Sequence, residues 1–407
     1  MKQDWVINIA LIIVGIIFAW GTAEIAIRWF GSYDIDGQFE IYEDVVLKPY
    51  RLPIERTQQK VDLYLQRAPD TAIMHHPVLG WVPRPHGKSD DGLYQYNGQG
   101  IRSPVIYSQT PADNILRIAL FGDSFTHCSD VSYEESWGYL LEQKLLAKGV
   151  QAEVLNFGVS GYGMDQAYLR WEKEGRAYQP DIVIFGIQFE NVRRNVNLIR
   201  TIYRRGDIPF SKPRFMLKNG VLKPINIPTI PPEDVPQVMQ NIDTWELAKY
   251  EYSYAHDDYT PYFWLNSKVL ALAFTLITDS SIDKFSYNLG EGPANLTLAI
   301  IEQFEQSVQA EGAEFVMVNL LRYNDLVDWI AGKPLVYNDL LQTVEAEYPF
   351  VRPGQERLKE AQNLSIKPLF QKGHYSAQGN IIVVEALTAY ILQLEKEHHN
   401  KNRLQAN

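Results

Sequence analysis

One cysteine, Cys128, in 407 residues leaves no route to an intramolecular disulfide or a cysteine-rich zinc site, so stability rests on packing. Basic charge is also short. The 38 Lys and Arg stand against 49 Asp and Glu, a formal net charge of −11, which gives a phosphate backbone no global attraction and argues against a nucleic-acid partner. Of the eight histidines, the adjacent pair His75-His76 lacks metal-ligand spacing to any nearby carboxylate or cysteine, so neither a metal site nor a cofactor is expected. Internal repeats and low-complexity runs are missing. So is any charge-rich, aromatic-poor stretch, and with 46% hydrophobic and 21% charged residues the chain belongs among globular proteins. At roughly 150 residues per domain its length suits two or three domains, or one large domain with an insertion.

One long apolar run is present. Trp5 to Ala23 carries no charge, and as a helix it would extend about 28 Å, close to the hydrocarbon thickness of a bilayer. Lys2 precedes it, whereas Arg28 is followed by Asp34, Asp36, Glu40, Glu43 and Asp44. The positive-inside rule then leaves the amino terminus in the cytoplasm and the body extracytoplasmic, with residues 1–28 as a single-pass anchor. The small residues Gly21-Thr22-Ala23 keep open a cleaved signal peptide and a secreted product.

Residues 29–112 carry scattered Pro, Gly and Asp and are expected to form a β-rich lead-in of short strands and turns. From about 113 to 395 short apolar strands alternate with amphipathic helices. Strands are expected at 116–121, 153–157, 181–186 and 313–319, and helices near 134–148, 164–174 and 374–394. That alternation predicts an α/β fold with a doubly wound parallel sheet. It lapses between about 197 and 290, an insertion containing the hairpin signal Asn219-Gly220, and residues 396–407 read as a frayed polar tail.

Candidate chemistry lies at strand ends. Gly122-Asp123-Ser124 follows the first strong strand, Asn156-Phe157-Gly158-Val159-Ser160-Gly161 the second and Gln188-Phe189-Glu190-Asn191 the third, while His374 opens the last helix. Serine, glycine, asparagine and histidine in this order resemble the four blocks of the SGNH/GDSL hydrolase family, over about residues 113–395 apart from the insertion. The resemblance implies a flavodoxin-like sheet, Ser124 as nucleophile and His374 as general base. It also implies an oxyanion hole made of the Ser124 and Gly161 backbone N–H groups and the Asn191 amide. The family's aspartate two or three residues before the histidine is replaced here by Lys372 and Gln371. A neutral acceptor such as Gln371 would then orient His374 in a dyad, and Lys372 pointing inward would disfavour the imidazolium.

Other residues leave alternatives open. His127 and Cys128 read as packing residues. The aromatic run Tyr250, Tyr252, Tyr254, Tyr259, Tyr262, Phe263 and Trp264 suits either substrate stacking or core, and Arg193, Arg194, Arg200, Arg204 and Arg205 suit a solvated helix face or an anion site. The functional expectation is an extracytoplasmic ester hydrolase or acyl transferase working through an acyl-serine. Its substrate would be an O-acylated cell-surface polysaccharide or a lipid ester, with envelope proteins as further partners. The alternative is a catalytically degenerate SGNH-fold subunit that binds or assembles a membrane complex.

Overall fold

The computed structural model describes residues 2–42, 45–206, 208–290, 292–354 and 366–405. At its centre lie five parallel strands, numbered here β1 (Leu116–Gly122), β2 (Ala152–Asn156), β3 (Ile182–Ile187), β4 (Glu314–Asn319) and β5 (Phe350–Val351). Their order across the sheet is 2-1-3-4-5, the flavodoxin-like arrangement. Because helices cover both faces, the strands read as unbroken apolar runs rather than alternating ones. Successive side chains still point to opposite faces. Ala119, Phe121, Phe185 and Phe315 meet the Met164–Lys173 and Gly292–Ala310 helices on one side. Ile118, Leu120, Ile184 and Val316 meet the Trp137–Ala147 and Ala377–Gln405 helices on the other. Phe121, stacked on Phe157 at 5.0 Å and edge-on to Trp171 and Phe304, is fully buried, and its truncation to Ala would cost about 3–5 kcal/mol.

The flanking segments differ in part from expectation. The lead-in contains a 14-residue helix, Ile54–Arg67, that its polar sequence hides, since only Thr57 and Val61 are fully buried. Its boundaries were written in Pro53 and Pro69, which punctuate it on either side. The lead-in also shares the main core, through Leu79, Val82, Ile101 and Tyr107. The insertion forms the expected hairpin, Arg214–Lys218 with Val221–Ile225, around left-handed Asn219 and Gly220. The carboxy-terminal helix runs Ala377–Gln405.

The amino-terminal helix runs Lys2–Phe30, and its apolar part from Trp5 is long enough to cross a membrane and is not covered by the rest of the chain. Its last turns dock. Ile27 packs with Phe39 and Leu265, and Arg28 donates to the Asn266 carbonyl at 2.7 Å. The Glu24 carboxylate accepts the Lys268 and Val269 N–H groups at 3.0 and 3.1 Å, capping the helix that starts there.

Candidate active site

In an open sheet of this order, ligands collect at the carboxyl ends of the strands, where the order reverses between β1 and β3. Both strands deliver candidate residues there. β1 ends at Gly122, whose φ of +152° and close neighbours require glycine: a Cβ would stand 2.6 Å from the Gly186 carbonyl. The next residue, buried Asp123, caps the short Ser124–His127 helix by accepting the Phe125 N–H at 2.9 Å. Its other oxygen accepts Asn191 Nδ2 at 3.1 Å and Arg194 Nη1 at 3.3 Å. A single carboxylate thereby ties the turn after β1 to the turn after β3.

Ser124 and His374 meet. Ser124 Oγ lies 2.7 Å from His374 Nε2, across 250 residues of chain. The other ring nitrogen, Nδ1, lies 2.6 Å from Asp130 Oδ2. This corrects the expectation for Gln371, which makes no hydrogen bond to the imidazole. Gln371 and His374 are cross-strand partners in a two-residue hairpin turned by left-handed Lys372 and Gly373, so they share one face. From that face His374 takes the Asp130 carboxylate and Gln371 Nε2 donates to the Asp130 backbone carbonyl at 2.8 Å. The expected neutral holder of the histidine instead holds the acid. Lys372, in the turn, is exposed.

Asp130 reaches the imidazole because the chain reverses at Cys128, whose left-handed φ of +59° ends the Ser124–His127 helix. Beneath this reversal lies a buried lattice. Tyr96 OH pairs with His127 Nε2 at 2.8 Å, and His127 Nδ1 pairs with Ser129 Oγ at 3.1 Å. Ser129 Oγ pairs with Ser160 Oγ at 2.6 Å. Arg102 donates to the Val131 carbonyl at 2.6 Å and also to the carbonyls of His127 and Cys128. Burial, reinforced by the Arg102 charge, holds His127 well below the usual imidazole range, so it stays neutral and serves as a hydrogen-bonded packing residue. Burial likewise pushes the Cys128 thiol up to about 11, which removes it as a nucleophile.

The expected oxyanion donors are placed as follows. Asn191 uses one N–H of Nδ2 for Asp123, and the second has no acceptor among the described residues. Nor does its buried Oδ1 have a hydrogen-bond donor there. The backbone N–H groups of Ser124 and Gly161 are likewise unused among the described residues, and Gly161 adopts φ +82°. Three donors, a hydroxyl and an imidazole backed by a carboxylate make a constellation able to run acyl transfer.

The arginine run is split, with Arg204 exposed and Arg193 half-buried. Arg194 and Arg200 are buried, and Arg205 pairs with Asp34 and Asp36. Burial opposes the Glu190 charge, but Arg194, the Tyr203 hydroxyl and Arg200 outweigh it and lower this carboxyl to about 2. The aromatic run mostly packs. Tyr254 and Tyr259 lie at 4.8 Å, Tyr259 and Tyr50 at 5.8 Å, and Trp264 and Phe274 at 5.0 Å, while Phe263 is 85% exposed.

No protein-family model matches the chain, and no curated protein does. Solved structures with a similar course include a variant of an acetyl xylan esterase from Geobacillus stearothermophilus, 14% identical over 69% of this chain and 95% of that one, with a TM-score of 0.35. A GDSL-like lipase from Bacteroides thetaiotaomicron is 12% identical over 70% and 92%, with a TM-score of 0.34. A psychrotrophic esterase from a Pseudoalteromonas species is 12% identical over 69% and 99%, with a TM-score of 0.32. Two of these proteins are esterases and one is a GDSL-like lipase, and the lipase carries the family name that the four sequence blocks resemble. At such identities and scores the likeness is distant, and the chemistry rests on the hydrogen bonds of this chain.

Proposed function

We propose that the chain is a serine ester hydrolase or acyl transferase of SGNH type, with Ser124 as nucleophile, His374 as general base and Asp130 as the acid that orients it. The observation that carries this reading is the continuous line Asp130 Oδ2–His374 Nδ1 and His374 Nε2–Ser124 Oγ, at 2.6 and 2.7 Å. As Oγ attacks the ester carbonyl, its proton passes to Nε2, and Asp130 stabilises the resulting imidazolium. The carbonyl oxygen becomes an oxyanion facing the Ser124 and Gly161 N–H groups and the free Nδ2 hydrogen of Asn191. Collapse breaks the ester C–O bond, and His374 returns the proton to the departing alkoxide. Water, or an acceptor hydroxyl, then attacks the acyl-serine with His374 again as base, and the carboxylic acid or new ester leaves.

The long uncovered helix supports a membrane anchor, and Lys2 before it with the acidic residues after Arg28 supports an extracytoplasmic domain. Its proposed substrate is an O-acyl group on cell-surface polysaccharide, with a lipid ester second. Against the rival scaffold reading, which the absence of an aspartate beside His374 favours, the Asp130 carboxylate on His374 Nδ1 supports the enzyme. The test is fluorophosphonate labelling of the full chain in detergent, followed by peptide mapping. The expected adduct is on Ser124, present in wild type, absent in Ser124→Ala and strongly slowed in Asp130→Asn. Wild-type protein that remains unlabelled while folded would return the scaffold reading.

A further inference from the structure

The lead-in places a side chain against the loop that carries Gly161. Trp81, on the Gly80–Pro83 strand, is fully buried and lies edge-on to Tyr162 at 5.6 Å. Its backbone carbonyl accepts the Tyr162 hydroxyl at 2.6 Å, and its indole Nε1–H donates to the Ser160 carbonyl at 3.0 Å. Both contacts bracket Gly161. The Ser160 hydroxyl is held from another direction by Ser129 Oγ at 2.6 Å. Ser129 belongs to the nucleophile turn, where its N–H donates to the Ser124 carbonyl at 3.1 Å.

A trans peptide is planar, and its C=O and N–H point in opposite directions. Drawing the Ser160 carbonyl toward the lead-in therefore turns the Gly161 N–H away from it. The Ser129 bond keeps the same peptide beside the nucleophile turn. A loop peptide with its carbonyl unheld could rotate through its flanking dihedrals, and Gly161, without a Cβ, would offer that rotation little resistance. The ring also limits approach, for a Cβ on Gly161 would lie 3.3 Å from Trp81 Cζ2.

We propose that Trp81 and Ser129 are positioning residues of the oxyanion hole, Trp81 aiming the Gly161 N–H through the Ser160 carbonyl and Ser129 fixing the loop to the nucleophile turn. The inference rests on the serine-hydrolase reading. Neither residue touches substrate. Each acts on a donor whose value depends on its direction at the moment charge develops on oxygen.

The test separates aim from fold. At position 81 alone, Trp is replaced by benzothienylalanine, which keeps the ring volume and lacks the N–H. Trp81→Phe and Ser129→Ala are prepared beside it, all as full chains in detergent. Single-turnover acylation by p-nitrophenyl acetate and the affinity for a boronic acid, which forms a tetrahedral adduct, are measured together. The expected result for benzothienylalanine is acylation slowed about tenfold, KM within about twofold of wild type and boronate affinity reduced by the same factor as the rate. Ser129→Ala should follow with about a threefold loss in both readouts. Wild-type acylation by the folded benzothienylalanine protein overturns the proposal, as does a slower rate with undiminished boronate affinity. If neither position-81 variant folds, Ser129→Ala decides it by the same two readouts. A wild-type chain that folds yet never acylates Ser124 removes the hydrolase reading itself, and the positioning roles with it.

Discussion

The two sides of the site are built differently. On the serine side, the turn after β1 sits on buried Asp123, His127, Tyr96 and Arg102, with the lead-in packed beneath it. On the histidine side, a hairpin of two residues per strand carries His374, whose side chain remains 23% exposed and whose ring lies 4.8 Å from the Phe125 ring. One side is over-determined and the other is perched. In the arrangement that the four sequence blocks resemble, the acid travels with the histidine. Here Asp130 belongs to the over-determined side, so in the proposed mechanism the perched base is oriented by the same turn that presents the nucleophile. Geometry that would be internal to one loop becomes a contact between two.

The largest break in that comparison is Ser124→Ala, which should lower acylation about 10⁴-fold or more while leaving the melting temperature nearly unchanged, since the hydroxyl lies at a strand end and its loss opens no core cavity. Acylation and calorimetry on the same preparation check this, and an active Ser124→Ala protein removes the nucleophile assignment.

Asp130→Asn comes next. It preserves shape but favours the wrong tautomer, so turnover should fall about 10³- to 10⁴-fold. Gln371→Asp, a carboxylate restored to the histidine side, should not compensate, because residue 371 faces the Asp130 carbonyl rather than the imidazole. Recovery of turnover in the Asp130→Asn, Gln371→Asp double variant would show that the acid can act from either side.

The third prediction concerns the over-determined side alone. Glu190, lowered to about 2 in the folded chain against an ordinary value near 4.5, stabilises the fold above the unfolded value. That contribution is lost as pH falls through about 2. Wild type should therefore lose stability, by up to about 3 kcal/mol, between pH 5 and 2, and Glu190→Gln should flatten this part of the profile. Urea unfolding at several pH values reads it, and parallel profiles for the two proteins would refute the linkage.

The smallest effect is expected from Gln371→Ala. Losing one exposed hydrogen bond to the Asp130 carbonyl should slow acylation only about three- to tenfold, with the stability change near 1 kcal/mol or less. A loss as large as that of Asp130→Asn would mean that Gln371, not the carboxylate, sets the histidine.

Most of the sheet could be read from the chain because β1 to β4 are short apolar runs bounded by glycine or polar turns, and two-sided burial leaves that trace locally. The helix Ile54–Arg67 was not visible, although Ile54, Thr57, Val61 and Tyr64 fall on one helical face, because the many polar residues between them mask that period. Ser124 and His374 were visible as types at strand and helix ends. Asp130 was not, because its role depends on one left-handed residue, Cys128, that folds the chain back on the nucleophile. No local pattern marks a cysteine for that conformation. The placement of Trp81 was equally silent, being fixed by tertiary packing of the lead-in on the Gly161 loop.

The proposed nucleophile and acid are six residues apart in this chain, while the proposed base lies 244 residues beyond the acid. Segments that close are inherited together. A single substitution at residue 374 would take away the proposed proton carrier and leave the serine, its carboxylate and the donors around them in place. In descent, such a chain can be silenced and reawakened at one distant codon, and a pattern that seeks the acid beside the histidine would count it as silent already.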